Sequence, residues 1–244
     1  MLFFPIETII FDLDGTLRHS MPSADDVQFR IANIIGAVDN PDLQILGARW
    51  AHYYWAQSVE MVQDLEQYGD RSVEFWIQYG IRYLQALTVS ESKAAVLAPQ
   101  MVAQMEAEYS PENYVYPCVH DTLKKLKEGG LTLGLVSNRS KPCQAECEEL
   151  GLLDYFDFAY VAAEVNAWKP DPRIFDRALE ISGSSPKHTV YVGDNYYADI
   201  QGAQNAGLQP VLLDEKGLFP EAGCLVIERV EELVEIMKRS DNWG

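Results

Sequence analysis

From residue 119 onward the chain alternates between helix-like and strand-like stretches, and that alternation leaves few folds open. Helical spacing over 119–127 stops at Gly129-Gly130, and the apolar run LTLGLV follows at 131–136. The same order repeats downstream. Helices are expected at 141–150, 172–181 and 198–206, closed by Gly151, Gly183 and Gly207, with strands at 156–161, 188–192 and 208–213. A strand at 225–227 and a helix over 230–239 complete the series. Strands alternating with helices of this length predict βαβ units, hence an α/β doubly wound parallel sheet with helices on both faces.

One more strand, TIIFDL at 8–13, lies far upstream of the others. The stretch between, 21–110, has long runs without a helix breaker (46–68 and 73–87). Its aromatics Trp50, Tyr53, Tyr54 and Trp76, Tyr79, Tyr83 recur three and four residues apart. That spacing predicts helices that pack through their aromatics. Helix starts at Pro22-Ser23, Pro41, Asp70 and Ser90 give about four helices and no strand. The all-helical block therefore interrupts an α/β core. The expected domains are 1–20 with 111–244, and 21–110.

Charge narrows the partners. With 37 acidic and 19 basic residues in 244, the net charge is −18, which repels phosphate backbones and anionic lipid. Neither nucleic acid nor a membrane surface is an expected partner. Apolar runs fall short of the ~20 residues of a membrane span. The N-terminal stretch lacks a basic segment before its apolar run. Cys118, Cys143, Cys147 and Cys224 are too few and too irregularly spaced for a disulfide framework or zinc pair. Reduced thiols in a cytoplasmic protein are expected.

In open α/β sheets ligands bind beyond the carboxyl ends of the strands. Those ends carry Asp12-Leu13-Asp14-Gly15-Thr16, then Ser137-Asn138-Arg139, then Lys169 in WKPDP, then Gly193-Asp194-Asn195 with Asp199 five residues past Asp194. Asp12 and Asp14, two apart in an extended segment, are expected to point the same way and to form with Asp194 an anionic, all-oxygen cluster. Such a donor set suits Mg²⁺ rather than zinc. Ser137 and Lys169 add a neutral donor and a fixed positive charge, as a phosphoryl group requires.

With these four motifs in this order and a helical insert after the first, the whole chain resembles the haloacid dehalogenase-like (HAD) hydrolase superfamily, in its helical-cap phosphatase branch. The resemblance implies a Rossmann-like core with an inserted cap. It also implies Mg²⁺-dependent hydrolysis of a small phosphorylated metabolite through an aspartyl-phosphate. By the same resemblance Asp12 is the nucleophile and Asp14 the general acid/base. The metal is held by the Asp12 side chain, the Asp14 backbone carbonyl and Asp194, with Asp199 behind them. Ser137 and the Asn138 backbone hold phosphoryl oxygens, Lys169 neutralises charge, and Thr16 bonds near the nucleophile loop. Arg18 and His19, just past that loop, are further candidates for substrate contact.

Other readings fit less well. Metal-free dehalogenases of the superfamily lack the second aspartate, and Asp14 is present. A phospho-accepting receiver domain needs no helical insert and carries its acceptor on a different strand from its acidic pair. A scaffold on the same fold would have lost some of these polar residues, and none is lost.

Overall fold

The computed structural model describes residue 2 and residues 5–239. The outermost residues of the expected core (1, 3, 4 and 240–244) lie outside that range. The chain divides into two compact units, Met1–His19 with Tyr114–Gly244, and Ser20–Asn113.

The discontinuous unit contains the sheet. Its strands are β1 (Thr8–Phe11), β4 (Thr132–Ser137), β5 (Phe158–Val161), β6 (Thr189–Gly193), β7 (Gln209–Leu213) and β8 (Leu225–Ile227). They run parallel in the order β5-β4-β1-β6-β7-β8, which is the doubly wound α/β arrangement. Two short strands, β2 (His19–Met21) and β3 (Glu112–Tyr114), pair as a ribbon where the chain leaves and re-enters the unit. The central strands read as unbroken apolar runs because both of their faces are covered. Ile9, Phe11, Leu133, Leu135, Val190 and Val192 point into one core. The alternate residues Ile10, Val136 and Tyr191 point into the other.

The first core is covered by α6 (Pro117–Glu128) and α11 (Glu232–Met237), through Val119, Leu123, Leu126, Leu233 and Met237. The second is covered by α9 (Pro172–Ser182) and α10 (Gln201–Asn205), through Ile174, Phe175, Ala178 and Ala203. Each large apolar side chain taken fully out of water there contributes about 1.5–3 kcal/mol. Two shorter helices, α7 (Gln144–Glu149) and α8 (Ala162–Val165), follow β4 and β5. Expected elements differ mainly at their ends. The helix expected over 141–150 is confined to α7, and that over 198–206 is split into a wide turn at Tyr196–Ile200 and α10.

The central unit is helical, but holds five helices rather than four: α1 (Ala24–Ile34), α2 (Leu43–Trp55), α3 (Val59–Tyr68), α4 (Val73–Ala86) and α5 (Glu91–Glu108). The run 46–68 breaks because Gln57 adopts a left-handed φ of 58° and Ser58 then caps α3, its Oγ accepting from the Met61 N–H at 3.1 Å. Ser23 and Ser72 cap α1 and α4 in the same way. The aromatic rows do pack together. Trp50 lies 5.0 and 5.2 Å (ring centroids) from Tyr54 and Tyr79, and Tyr54, Tyr79 and Tyr83 are buried. Trp55 joins the same cluster, its ring 5.5 Å from that of Tyr79, while Tyr53 is exposed. Among the described residues no helix is long and apolar enough to cross a membrane.

Candidate active site

The strand order puts β1 between β4 and β6, so the chain departs in opposite directions on either side of it. Such a switch point opens a crevice at the carboxyl ends of the strands. Asp12 stands there directly after Phe11, its N–H donating to the Val192 carbonyl at 2.9 Å. The strand itself ends at Phe11. Leu13 turns inward to full burial, and its carbonyl accepts from the N–H groups of Leu17 (3.0 Å) and Arg18 (2.9 Å). Gly15 completes this tight loop with a φ of +86°, and a Cβ at that position would collide with the Asp194 carboxylate.

Because the strand ends early, the two aspartates of the pair do not act as neighbours on one extended edge. Asp12 faces inward and is nearly buried. The Asp14 side chain lies among Arg18, Arg139 and Ser137. The carboxylates that converge are Asp12, Asp194 and Asp199, each offering an oxygen within 4.8 Å of the others. Asp199 thus occupies the place in the side-chain cluster that the sequence spacing suggested for Asp14.

Among the described residues one cation, Lys169, is bonded to two of these acids. Lys169 is 2% exposed, and its ammonium donates to Asp12 Oδ1 (2.6 Å), Asp199 Oδ1 (2.7 Å) and the Tyr191 hydroxyl (2.9 Å). The Tyr191 hydroxyl donates onward to the Val136 carbonyl at 3.0 Å. Burial alone would push the Lys169 pKa down, but Asp12, Asp199 and Tyr191 hold it well above its ordinary value. The acids feel the opposite imbalance. Burial pushes Asp12 up to about 7 against the pull of Lys169, with Asp199 and Asp14 adding to the rise. Asp194 is raised well above the usual carboxylate range by burial and then by Asp199 and Asp12.

The remaining predicted residues are brought to the same crevice. Thr16 donates from Oγ1 to Asp194 Oδ1 at 3.3 Å. Ser137, buried at the end of β4, has its Oγ 3.5 Å from Asp14 Oδ2. The Asn138 side chain is fastened to the peptide of Lys169, Nδ2 donating to its carbonyl at 2.9 Å and Oδ1 accepting from its N–H at 2.6 Å. Asp199 Oδ2 accepts from the Asn195 N–H at 2.9 Å, and a Cβ on Gly193 would fill the space the Asp199 carboxylate occupies. His19 packs edge-on against Tyr116, centroids 4.8 Å apart. All four cysteines are free thiols.

Sequence reasoning passed over Tyr191 and Arg139. Tyr191 is hidden in a strand run where an aromatic reads as core. The signal for Arg139 was present, since it directly follows Ser137-Asn138 at a strand end.

A family model described as haloacid dehalogenase-like hydrolase matches residues 6–207. The chain is 28% identical over 217 residues to the human haloacid dehalogenase-like hydrolase domain-containing protein 3, covering 85% of this chain and 82% of that protein. It is 27% identical over 237 residues to the phosphoserine phosphatase of Thermus thermophilus, covering 88% and 91%. Among solved structures, a 2-haloacid dehalogenase from Pseudomonas syringae pv. Tomato aligns at a TM-score of 0.55 with 25% identity, covering 96% of this chain and 99% of that one. The strand-end cluster thus sits on a sheet shared with these proteins, and the chain belongs to the haloacid dehalogenase-like hydrolase family.

Proposed function

We propose that this hydrolase is a phosphatase that cleaves a small phosphomonoester through a phosphorylated Asp12. The observation that carries the reading is the imbalance at the strand ends, where three buried or half-buried carboxylates converge and, among the described residues, one ammonium is bonded to two of them, Asp12 and Asp199. An excess of buried negative charge is costly unless a cation completes it. The donor set is all oxygen and hard, which fits Mg²⁺. Asp12, Asp194 and the Asp14 backbone carbonyl would hold the ion, with Asp199 behind them. When bound, Mg²⁺ supplies neutralising charge at the phosphoryl oxygens.

The chain's own groups then divide the work. An Asp12 oxygen attacks phosphorus, forming the acyl-phosphate bond as the ester P–O bond breaks. Asp14 gives its proton to the departing alkoxide. Water then attacks the phosphoaspartate, Asp14 takes the proton of that water, and inorganic phosphate and Asp12 are restored. Lys169 balances charge on Asp12 throughout, while Ser137 Oγ and the Asn138 N–H bind phosphoryl oxygens. Thr16 holds the nucleophile loop to Asp194. The helical unit, spanning 21–110 of the expected division, is assigned the role of cap, the element whose side chains choose the ester. A sugar phosphate, a phosphoglycolate-like acid and a nucleotide are all compatible with the core. A cytoplasmic setting agrees with four free thiols.

The relatives point two ways, one being a phosphoserine phosphatase and one structural neighbour a 2-haloacid dehalogenase. Halide leaves without a proton, so a general acid at position 14 has a purpose in the first step only if the leaving group is an alkoxide. The test is hydrolysis of p-nitrophenyl phosphate and a metabolite panel with Mg²⁺ and with EDTA, beside a 2-haloacid. Mg²⁺-dependent phosphate release that Asp12→Asn lowers by at least about 10³-fold is expected. Haloacid turnover without phosphate release would replace this reading with the dehalogenase one.

A further inference from the structure

Arg139 and Arg18 have no part in the scheme above, yet they hold one of its central groups. Arg139 clasps Asp14 with two parallel bonds, Nε to Oδ2 at 2.6 Å and Nη2 to Oδ1 at 2.5 Å. Its other edge is fixed by Glu146 of α7, Nη1 donating to Oε2 at 2.5 Å. Arg18 bridges the same two acids, Nη1 to Asp14 Oδ1 at 3.0 Å and Nε to Glu146 Oε1 at 3.2 Å. Two guanidinium groups and two acidic side chains meet in one cluster, whereas around Lys169 the acids outnumber the cation.

The Asp14 side chain is 38% exposed and sits in a loop next to a glycine. Left to itself such a side chain samples several rotamers. A planar fork bonded to both of its oxygens selects one, and the carboxylate of Glu146 keeps the fork from turning. Oδ1 is taken by Arg18 as well as by the fork, whereas Oδ2 has beyond the fork the long 3.5 Å contact with the Ser137 hydroxyl, so Oδ2 is the oxygen left to take a proton. A carboxylate held in this way is oriented to accept a proton from a water molecule without having to be reorganised first.

We propose that Arg139, anchored by Glu146, is the positioning residue that orients Asp14 to activate water in the second half of the reaction. It acts through Asp14 and does not touch the phosphoryl group. The inference rests on the phosphoaspartate reading above. Hydrolysis of the phosphoenzyme should depend on the fork more than its formation from an aryl phosphate does, because an aryl leaving group departs without a proton.

The experiment is a rapid-mixing assay with p-nitrophenyl phosphate and Mg²⁺ on the full chain. Arg139→Gln should retain a stoichiometric burst of nitrophenol while its steady-state rate falls by about 10–100-fold, the cost of a misplaced catalytic group. Arg139→Lys, which keeps the charge and loses the fork, should stay within a few-fold of the glutamine variant. Glu146→Gln leaves Arg139 in place and should give an intermediate loss, so the result does not depend on one variant folding.

The decisive comparison is in the Asp14→Asn background. There Arg139→Gln should slow turnover less than about twofold further, since the group it orients is gone. If the two losses multiply, or if burst and steady state fall by the same factor, Arg139 has an independent role and the proposal fails. If the unaltered protein forms no phosphoenzyme at all, it is the phosphatase reading that fails instead.

Discussion

Each unit buries an aspartate against a basic side chain, and the two sites are built in opposite ways. In the helical unit Asp64 is 2% exposed and fully answered. Arg82 donates Nε and Nη2 to its two oxygens at 2.7 and 2.9 Å, and Tyr54 adds a hydroxyl at 3.1 Å. One guanidinium and one phenol answer both oxygens of the acid. At the strand ends Asp12, Asp194 and Asp199 converge, and among the described residues one ammonium is bonded to Asp12 and Asp199. A saturated polar group fixes a fold and has nothing left to offer a ligand. An unsaturated one raises the free energy of the empty protein and lowers it when a cation or phosphoryl group arrives. Of the two sites, it is the unsaturated one that has affinity left for a ligand.

The sharpest way to separate the two sites is to remove the cation from each. Lys169→Met leaves three acids with no counter-charge and should lower phosphate release by about 10²–10³-fold, a loss of the kind seen when one preorganised donor is deleted. Mg²⁺-dependent p-nitrophenyl phosphate turnover measures it. A rate near that of the unaltered protein would remove the lysine from the chemistry.

Asp64→Asn should do the reverse, costing about 2 kcal/mol in a urea titration while turnover at low denaturant changes little. The figure lies below that for a fully buried pair because Arg82 is 22% exposed and also lies 3.7 Å from Glu60. A large drop in turnover without loss of stability would mean that the helical unit's aspartate is no mere staple.

The third difference is in pH. Asp12 titrates near 3.8 in an unfolded chain and is pushed up to about 7 in the folded one. Between those values the folded protein binds more protons than the unfolded chain, so its stability falls as pH rises from about 4 to about 7. The slope contributed by one such group is at most about 1.4 kcal/mol per pH unit. Urea titrations across this window in EDTA should show the fall, and Mg²⁺ should flatten it by favouring the ionised acids. Stability that instead rose with pH in EDTA would contradict the charge imbalance.

The smallest expected effect tests saturation itself. Tyr54→Phe removes one of the bonds to Asp64 and leaves the Arg82 fork intact, so about 1 kcal/mol should be lost. A loss several times larger would show that the aromatic cluster, not the hydrogen bond, depends on that hydroxyl.

Much of this architecture is legible in the residue pattern. The alternating glycine-closed helices and apolar strands gave the doubly wound sheet, and the polar residues at four strand ends gave the crevice. What was hidden is instructive. Periodicity carried the first strand through Leu13, but the carbonyl of Leu13 is used by the loop it begins, so Asp14 leaves the edge that spacing alone assigns it. Ser58 lies in an otherwise unbroken helical run and stops it through a cap, a local bond with no hydrophobic signature. Tyr191 looks like any strand aromatic until its hydroxyl is followed to Lys169. Arg139 stood beside a recognised motif, but its partners lie 125 residues upstream and on the following helix. Long-range pairing of this kind leaves no local trace.

The two hydrogen bonds from the Asn138 side chain to the peptide of Lys169 have a consequence for how this site can vary. They splice the loop after β4 to the lysine 31 residues later, so the position of the ammonium is inherited from the sheet rather than from the intervening chain. The stretch between, through β5 and α8, is in effect a detour whose length does not set the lysine's address. Insertions near 163–167 should therefore be tolerated more readily than any exchange of Asn138 itself.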